Sequence, residues 1–260
     1  MQTWLIFTFL LFLNLIGHSQ NPNAIKEQLT LQYLENKEYD KANEYLAEFY
    51  TENPNIWFLR YYNCLIALKD YSKAEKISKK QIKNNKPNSF YYVYLGKVYK
   101  LQNENKKEIE CYEKAIKEVS PNAPYLQNLA NAFASAGLYD YAINTYLKGR
   151  NENKDYPYFY EIAEIYKQKN DLKSMVNEYL DALEFRESEL LAVQMNLQNN
   201  LGYDENEGGI NNPILKQELQ KRIQKNSNKI VLVEFLIFIQ KQQKDFNGAL
   251  VQSKALDKRL

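Results

Sequence analysis

From Ala24 onward, apolar side chains recur every three or four residues, and short polar clusters interrupt them at regular intervals. Phe159, Ile162, Ala163 and Tyr166 form one stripe and Leu172, Met175, Tyr179 and Ala182 the next, which predicts two amphipathic helices joined at Asn170-Asp171. The same alternation predicts turns at Lys37-Glu38, Lys69-Asp70, Asn103-Glu104-Asn105 and Gly137. Pro54, Pro87, Pro121 and Pro157 stand between successive helix pairs, where proline ends one helix and is tolerated in the first turn of the next. Tyr39-Asp40-Lys41-Ala42, Tyr71-Ser72-Lys73-Ala74 and Tyr139-Asp140-Tyr141-Ala142 open the second helices with one recurring phrase. Ala42, Ala74, Glu108, Ala142 and Met175 occupy the equivalent place, with steps of 32, 34, 34 and 33 residues, the period of stacked helix-turn-helix units.

Beyond Glu184 the repeat blurs. The pattern predicts helix from Phe185 to about Leu201, a Gly- and Asn-rich loop from Gly202 to Pro213, and an amphipathic helix from Ile214 to Lys225. A degenerate sixth hairpin follows over residues 229–258, with Ile230 to Gln240 as its first helix and Phe246, Ala249, Leu250 and Leu256 marking the second. The run Val231 to Ile239 is apolar nearly all round; it is too short to span a bilayer and carries Glu234, so it must be buried on several sides. Lys254, Asp257, Lys258 and Arg259 supply a polar side to the last helix, as the end of a repeat stack needs. Without that cap, the end would pack on a partner or on a second copy, or the sequence would be the front part of a longer protein.

The segment 23–184 resembles five tetratricopeptide repeats. The third unit carries Tyr92, Leu95-Gly96, Tyr99, Tyr112, Ala115 and Pro121 in the family's order. The fourth gives Leu126, Leu129-Ala130, Phe133, Gly137, Tyr139, Ala142 and Tyr146, and the fifth Phe159, Ile162-Ala163, Tyr166, Tyr179 and Ala182. The resemblance implies an all-α, right-handed superhelical α-solenoid. Small residues at Gly96, Ala130, Ala163, Ala42, Ala74 and Ala142 let paired helices approach, and large aromatics fill the gaps between units. Tyr99, Tyr112, Tyr146, Tyr166 and Tyr179 fall at such core positions, so the tyrosines are read as packing groups. Tyr62, Phe49, Gln81 and Glu108 replace small residues, which predicts looser packing there, with the Glu108 charge carried to solvent on its stem.

The first 19 residues read as a secretory signal. Trp4 to Ile16 is apolar and too short to cross a bilayer, and Gly17-His18-Ser19 presents small residues for cleavage after Ser19. No Lys or Arg precedes the run, and an uncleaved anchor is the alternative. Cleavage removes His18, the one histidine, so neither a Ser-His-Asp nor a Cys-His arrangement nor a His-ligated zinc site can be built in the mature chain. Asp/Glu or Tyr/Lys chemistry survives formally. Lys and Arg number 34 against 32 Asp and Glu, interspersed, so no basic stripe for nucleic acid is present. Cys64 and Cys111 fall on helices that are not neighbours in a stack and are read as two buried small side chains rather than a disulfide.

In the resembled family the first helices line a concave groove that holds an extended peptide or a partner helix. Carried over by unit, the groove positions are Leu59, Asn63 and Ile66; Val93, Lys97 and Lys100; Gln127, Asn131 and Ala134; and Tyr160, Glu164 and Lys167. Asn63, Lys97, Lys100, Gln127, Asn131, Tyr160 and Lys167 are the candidate partner-binding residues, with no catalytic or metal-ligating set and no cofactor. The amides offer donor and acceptor to a peptide backbone, and the lysines attract a carboxylate. Glu27 and Leu31 stand where the family's carboxylate clamp would need Lys and Asn. The Asn-, Lys-, Ile- and Tyr-heavy composition and the Ser-Gln at the cut resemble exported proteins of the Bacteroidota. The expectation is a noncatalytic protein-interaction scaffold, periplasmic or outer-membrane-associated, whose partner is a protein or peptide of the envelope. The alternatives are a glycan or small-molecule module with its site where 202–213 folds over the groove, or a chain whose activity lies beyond residue 260.

Overall fold

The structure, a computed structural model, describes residues 22–86, 88–202, 212–226 and 228–258. Among the described residues there are fourteen α-helices and no strand. They are α1 (Pro22–Glu35), α2 (Tyr39–Glu52), α3 (Pro54–Ala67), α4 (Tyr71–Asn84), α5 (Tyr91–Leu101), α6 (Asn105–Glu118) and α7 (Ala123–Ser135). Next come α8 (Tyr139–Glu152), α9 (Phe159–Gln168), α10 (Leu172–Phe185), α11 (Leu190–Leu201), α12 (Pro213–Lys225), α13 (Ile230–Gln242) and α14 (Phe246–Asp257). The proposed signal, residues 1–19, and most of the 202–213 loop lie outside the described residues.

Six helix pairs close with the same backbone turn. Lys37, Lys69, Asn103, Gly137, Asn170 and Lys244 adopt φ values of 58–73°, the left-handed region. In each, the next amide reaches back to the carbonyl five residues earlier: Glu38 to Tyr33, Asp70 to Leu65, Glu104 to Tyr99, Leu138 to Phe133, Asp171 to Tyr166 and Asp245 to Gln240, all at 2.8–2.9 Å. This bond satisfies a carbonyl that the ending helix would leave without a partner. Asp70, Asp171 and Asp245 then accept from the backbone N–H three residues on, capping the helix that follows. Each turn therefore stops one helix and starts the next, at nearly the spacing read from the sequence.

The chain divides into two compact units, one of residues 1–86 with 91–114 and one of residues 87–90 with 115–260. In the first, α1 packs on α2, α2 on α3, α3 on α4 and α4 on α5. Its core alternates small and large groups. A Cβ added at Gly96 of α5 would stand 2.3 Å from the ring of Tyr112 on α6, so glycine is what lets that ring lie against the helix. Tyr62, where the pattern has a small residue, is fully buried. Tyr94 lies edge-on to it and Phe58 tilts against it, and its hydroxyl donates to the Tyr94 carbonyl at 2.8 Å. The replacement is thus absorbed with its polar atom satisfied. Glu108 is more enclosed than expected, its side chain 13% exposed, and Lys100 stands 3.9 Å away to meet its charge.

In the second unit α7 packs on α8, α8 on α9 and α9 on α10, and α10 also meets α11, α12 and α13. The apolar run of α13 is buried against this hub, with Val231, Leu232, Val233, Phe235, Leu236, Ile237 and Ile239 all in the core. Gly149 gives close contact here: a Cβ on it would meet Leu126 Cδ1 at 2.7 Å and Tyr158 Cε2 at 2.8 Å. Lys148 donates to the carbonyls of Ile116, Lys117 and Val119 at 2.9–3.1 Å, capping the end of α6. Arg222 of α12 clamps α10, pairing with Asp181 at 2.6 Å and Glu184 at 3.2 Å and donating to Asn177. The helix predicted from Phe185 to Leu201 is broken: Arg186 is extended at φ −145°, and a 3-10 turn over Glu187–Glu189 precedes α11. On α14, exposed Phe246, Leu250 and Val251 share the surface with Lys254 and Asp257, so its outer face is not polar throughout.

Two tests follow from these contacts. Nothing lies within 4 Å of a Cβ placed on Gly137, so Gly137→Ala isolates the backbone cost and lowers stability by about 1 kcal/mol. Lys69→Gly removes the same cost and raises stability by a similar amount, each shift reading as roughly 2–4 °C in thermal denaturation. The second test concerns Arg150, which pairs with buried Glu178 and donates to the Pro157 carbonyl at 2.6 Å. Burial pushes the Glu178 carboxyl above the usual carboxylate range, while Arg150 pulls it back. The folded state thus holds that proton more tightly than the unfolded one, so this group's contribution falls as pH rises through the raised value. Arg150→Met costs about 3 kcal/mol at pH 7 in urea denaturation, and the loss shrinks as the pH falls through the raised value and Glu178 takes up a proton. A penalty independent of pH would show that the pair is not what Arg150 supplies.

Candidate functional site

The seven sequence-predicted residues all sit on first helices of hairpins. In the first unit Asn63 lies on α3 and Lys97 and Lys100 on α5; in the second, Gln127 and Asn131 lie on α7 and Tyr160 and Lys167 on α9. Asn63, Lys97 and Asn131 are separated by 34 residues each and take the same place in their hairpins, six residues before the left-handed turn residue. These three and Gln127 are exposed, and among the described residues none of their side chains makes a hydrogen bond or ion pair. Lys100 is the residue beside Glu108, and Lys167 pairs with Glu164 at 3.5 Å. Tyr160 is half-buried; its hydroxyl donates to Glu189 at 2.9 Å and its ring lies edge-on to Tyr179. Val93, also assigned to the groove, is 2% exposed: its apolar side chain joins the core and cannot line an open face.

A second feature, not read from the sequence, lies wholly within the second unit. Between α8 and α9 the chain runs Asp155-Tyr156-Pro157-Tyr158, and this joint faces the end of α10 across a cleft of about 90 Å³. Rings of Tyr156, Tyr158, Phe159, Tyr160 and Phe185 line it, with the carboxylates of Asp155, Glu161 and Glu189 and the guanidinium of Arg186. Tyr158 holds φ 58°, ψ 31°, left-handed geometry that a bulky aromatic rarely adopts. Packing enforces it: its ring stacks on Tyr146 at 5.4 Å and meets Tyr156 edge-on at 4.8 Å. Tyr156 donates to Glu161 Oε1 at 2.6 Å, and this bond, with burial, pushes the phenol up to about 12. Glu161 Oε2 is shielded from solvent and has no hydrogen-bond partner. The aromatic run around Pro157 was the available signal; the left-handed turn and the approach of Phe185 were not.

Other chemistry is sparse. Cys64 and Cys111 are both buried and unbridged, and burial pushes each thiol up to about 11, so neither is a ready nucleophile. Cys64 Sγ donates to the Tyr39 carbonyl at 3.3 Å. Among the described residues no group of three or more His, Cys, Asp or Glu is placed to hold a metal, and no helix is long and apolar enough to cross a membrane.

No protein-family model and no curated protein matches the chain. Among solved structures it is similar to a crystal structure of MamA protein, at 19% identity over 64% of this chain and 93% of that one, with a TM-score of 0.32. It is also similar to the C-terminal part of a TPR repeat-containing protein from Cytophaga hutchinsonii, at 17% identity over 89% and 92% of the two chains, TM-score 0.31. A tetratricopeptide repeat protein from Parabacteroides merdae shows 16% identity over 77% of each chain, TM-score 0.28. Likeness at this level leaves the fold to be read from the chain's own helices and turns. By those, both units contain antiparallel helical hairpins closed by the same left-handed turn.

Proposed function

We propose that this protein is a noncatalytic interaction scaffold of the bacterial cell envelope, gripping an extended peptide or a helix of a partner protein through the first helices of its hairpins. The observations that carry this reading are made in each unit by itself: Asn63 on α3 in the first, and Gln127 and Asn131 on α7 in the second, are exposed, and among the described residues no side-chain hydrogen bond engages their amides. An amide offers both donor and acceptor, which suits the backbone of an extended segment. Lys97, equally free, adds a charge for a carboxylate. The envelope setting rests on the apolar N-terminal run and the small residues ending at Ser19. With His18 inside that leader, the mature chain has no imidazole for acid-base work.

The test is affinity capture from a periplasmic extract, with wild type beside Asn63→Ala/Lys97→Ala/Asn131→Ala. All three side chains are exposed, so the melting temperature should not move. Each lost contact removes about 0.5–1.5 kcal/mol net, and the triple change lowers recovery of the partner at least about tenfold. Equal recovery of every captured protein by both forms would sink the groove. Export is read separately: N-terminal sequencing of the mature protein starts at Gln20, and full-length chain confined to the cytoplasm would contradict it.

A further inference from the structure

The cleft between the α8–α9 joint and the end of α10 carries negative charge that the protein leaves uncompensated. Glu189 is neutralised within the cleft, one oxygen accepting from Tyr160 and the other facing Arg186 at 3.4 Å. Glu161 is different. Its Oε1 takes the Tyr156 hydroxyl, its Oε2 is buried without a donor, and among the described residues no cation pairs with it. A carboxylate in this state lacks one interaction that both its charge and its free lone pairs require. The rings around it present negative π faces, which attract cations. Two of them already hold the protein's own: Arg150 lies 4.7 Å from the centre of Phe159, and Arg186 5.7 Å from that of Phe185. Tyr156 and Phe185 are nevertheless 51% and 50% exposed, so each keeps ring surface open to solvent.

We propose that this cleft binds an organic ammonium ion, the side chain of a lysine on a partner polypeptide, with Glu161 as its counter-ion and the rings of Tyr156 and Phe185 as its walls. A single acceptor atom suits a compact point charge with rotatable donors better than the rigid fork of a guanidinium. The four-carbon stem of lysine lies against the aromatic walls, and its head reaches the carboxylate once a rotation of the Glu161 carboxyl turns the shielded Oε2 toward the cleft. The left-handed Tyr158 is what aims the joint: it turns the chain so that Tyr156 and Glu161, five residues apart, meet at 2.6 Å. The site is independent of the free amides on α3 and α7, so the two readings can fail separately.

The test follows ring resonances by NMR while acetyl-Gly-Lys-Gly-amide is titrated into the protein. The expected result is a saturable shift with an affinity in the millimolar range and no saturable shift with the norleucine counterpart. Glu161→Gln weakens the lysine peptide roughly tenfold, and Phe185→Ala weakens it about two- to fivefold. Tyr156→Phe frees Oε1 and preserves or strengthens binding, which keeps the proposal testable should Glu161→Gln fail to fold. The Asn63/Lys97/Asn131 triple variant binds the peptide as wild type does. The proposal is overturned by equal binding of the norleucine peptide, by the absence of a saturable shift, or by undiminished binding to folded Glu161→Gln. Tighter binding of n-butylammonium than of the peptide would overturn the assignment to a polypeptide lysine.

Discussion

The structure depends on one backbone constraint, the left-handed residue that ends the first helix of each hairpin. A lone helix of this length is marginal in water and becomes stable by burying its apolar stripe on a neighbour. The turn brings that neighbour back antiparallel within three residues, and the amide-to-carbonyl bond across it fixes where the first helix stops. Because the same bond recurs six times, the second helices start in the same phase. A shift of one residue at a turn would rotate the following stripe by about 100° and expose it.

Close approach then decides how the hairpins fit. Gly96 and Gly149 act in opposite halves of their hairpins, the first on a first helix and the second on a second helix, and each receives an aromatic ring where a methyl would collide. Interiors are dense enough that such a ring and such a gap require each other. Tyr62 shows the other solution: a large side chain in a small residue's place, tolerated because neighbouring rings make room and a backbone carbonyl takes its hydroxyl. Tyrosine is abundant here because it fills volume and still satisfies its one polar atom at the edge of the core.

Much of this was legible in the sequence. Helical periodicity and the recurring opening phrases gave helix starts at Tyr39, Tyr71 and Tyr139 where the structure has them, because apolar spacing is the direct image of a buried face. The turn chemistry was less visible. Gly137 and the two asparagines signal a left-handed residue, but Lys37, Lys69 and Lys244 do not, since lysine has no intrinsic leaning to that geometry and is placed there by the helices on either side. The break at Arg186 escaped because Leu190, Val193 and Leu197 continue a helical spacing after it. Val93 was misassigned because unit-by-unit transfer ignores that a position open in one hairpin can be covered in the next. The aromatic cleft joins residues about 30 apart through a strained turn, and neither half declares the other.

The polar groups of the two candidate sites differ in what they imply. An exposed amide such as Asn63 or Asn131 is satisfied by water, costs the fold little, and adds little stability. Such residues are therefore weakly constrained by folding, and their pattern along the first helices informs about binding more than about stability. Glu161 is the reverse. Its shielded Oε2 weighs against the folded state, as does the left-handed Tyr158 three residues earlier, and neither is required by the hairpin turns, which close elsewhere. Helices α8 and α9 are joined by a longer segment than the hairpin turns, so a relaxed connection was sterically available. Two unfavourable features meeting in one cleft, lined by rings and short of a cation, locate where this chain departs from what stability alone would select.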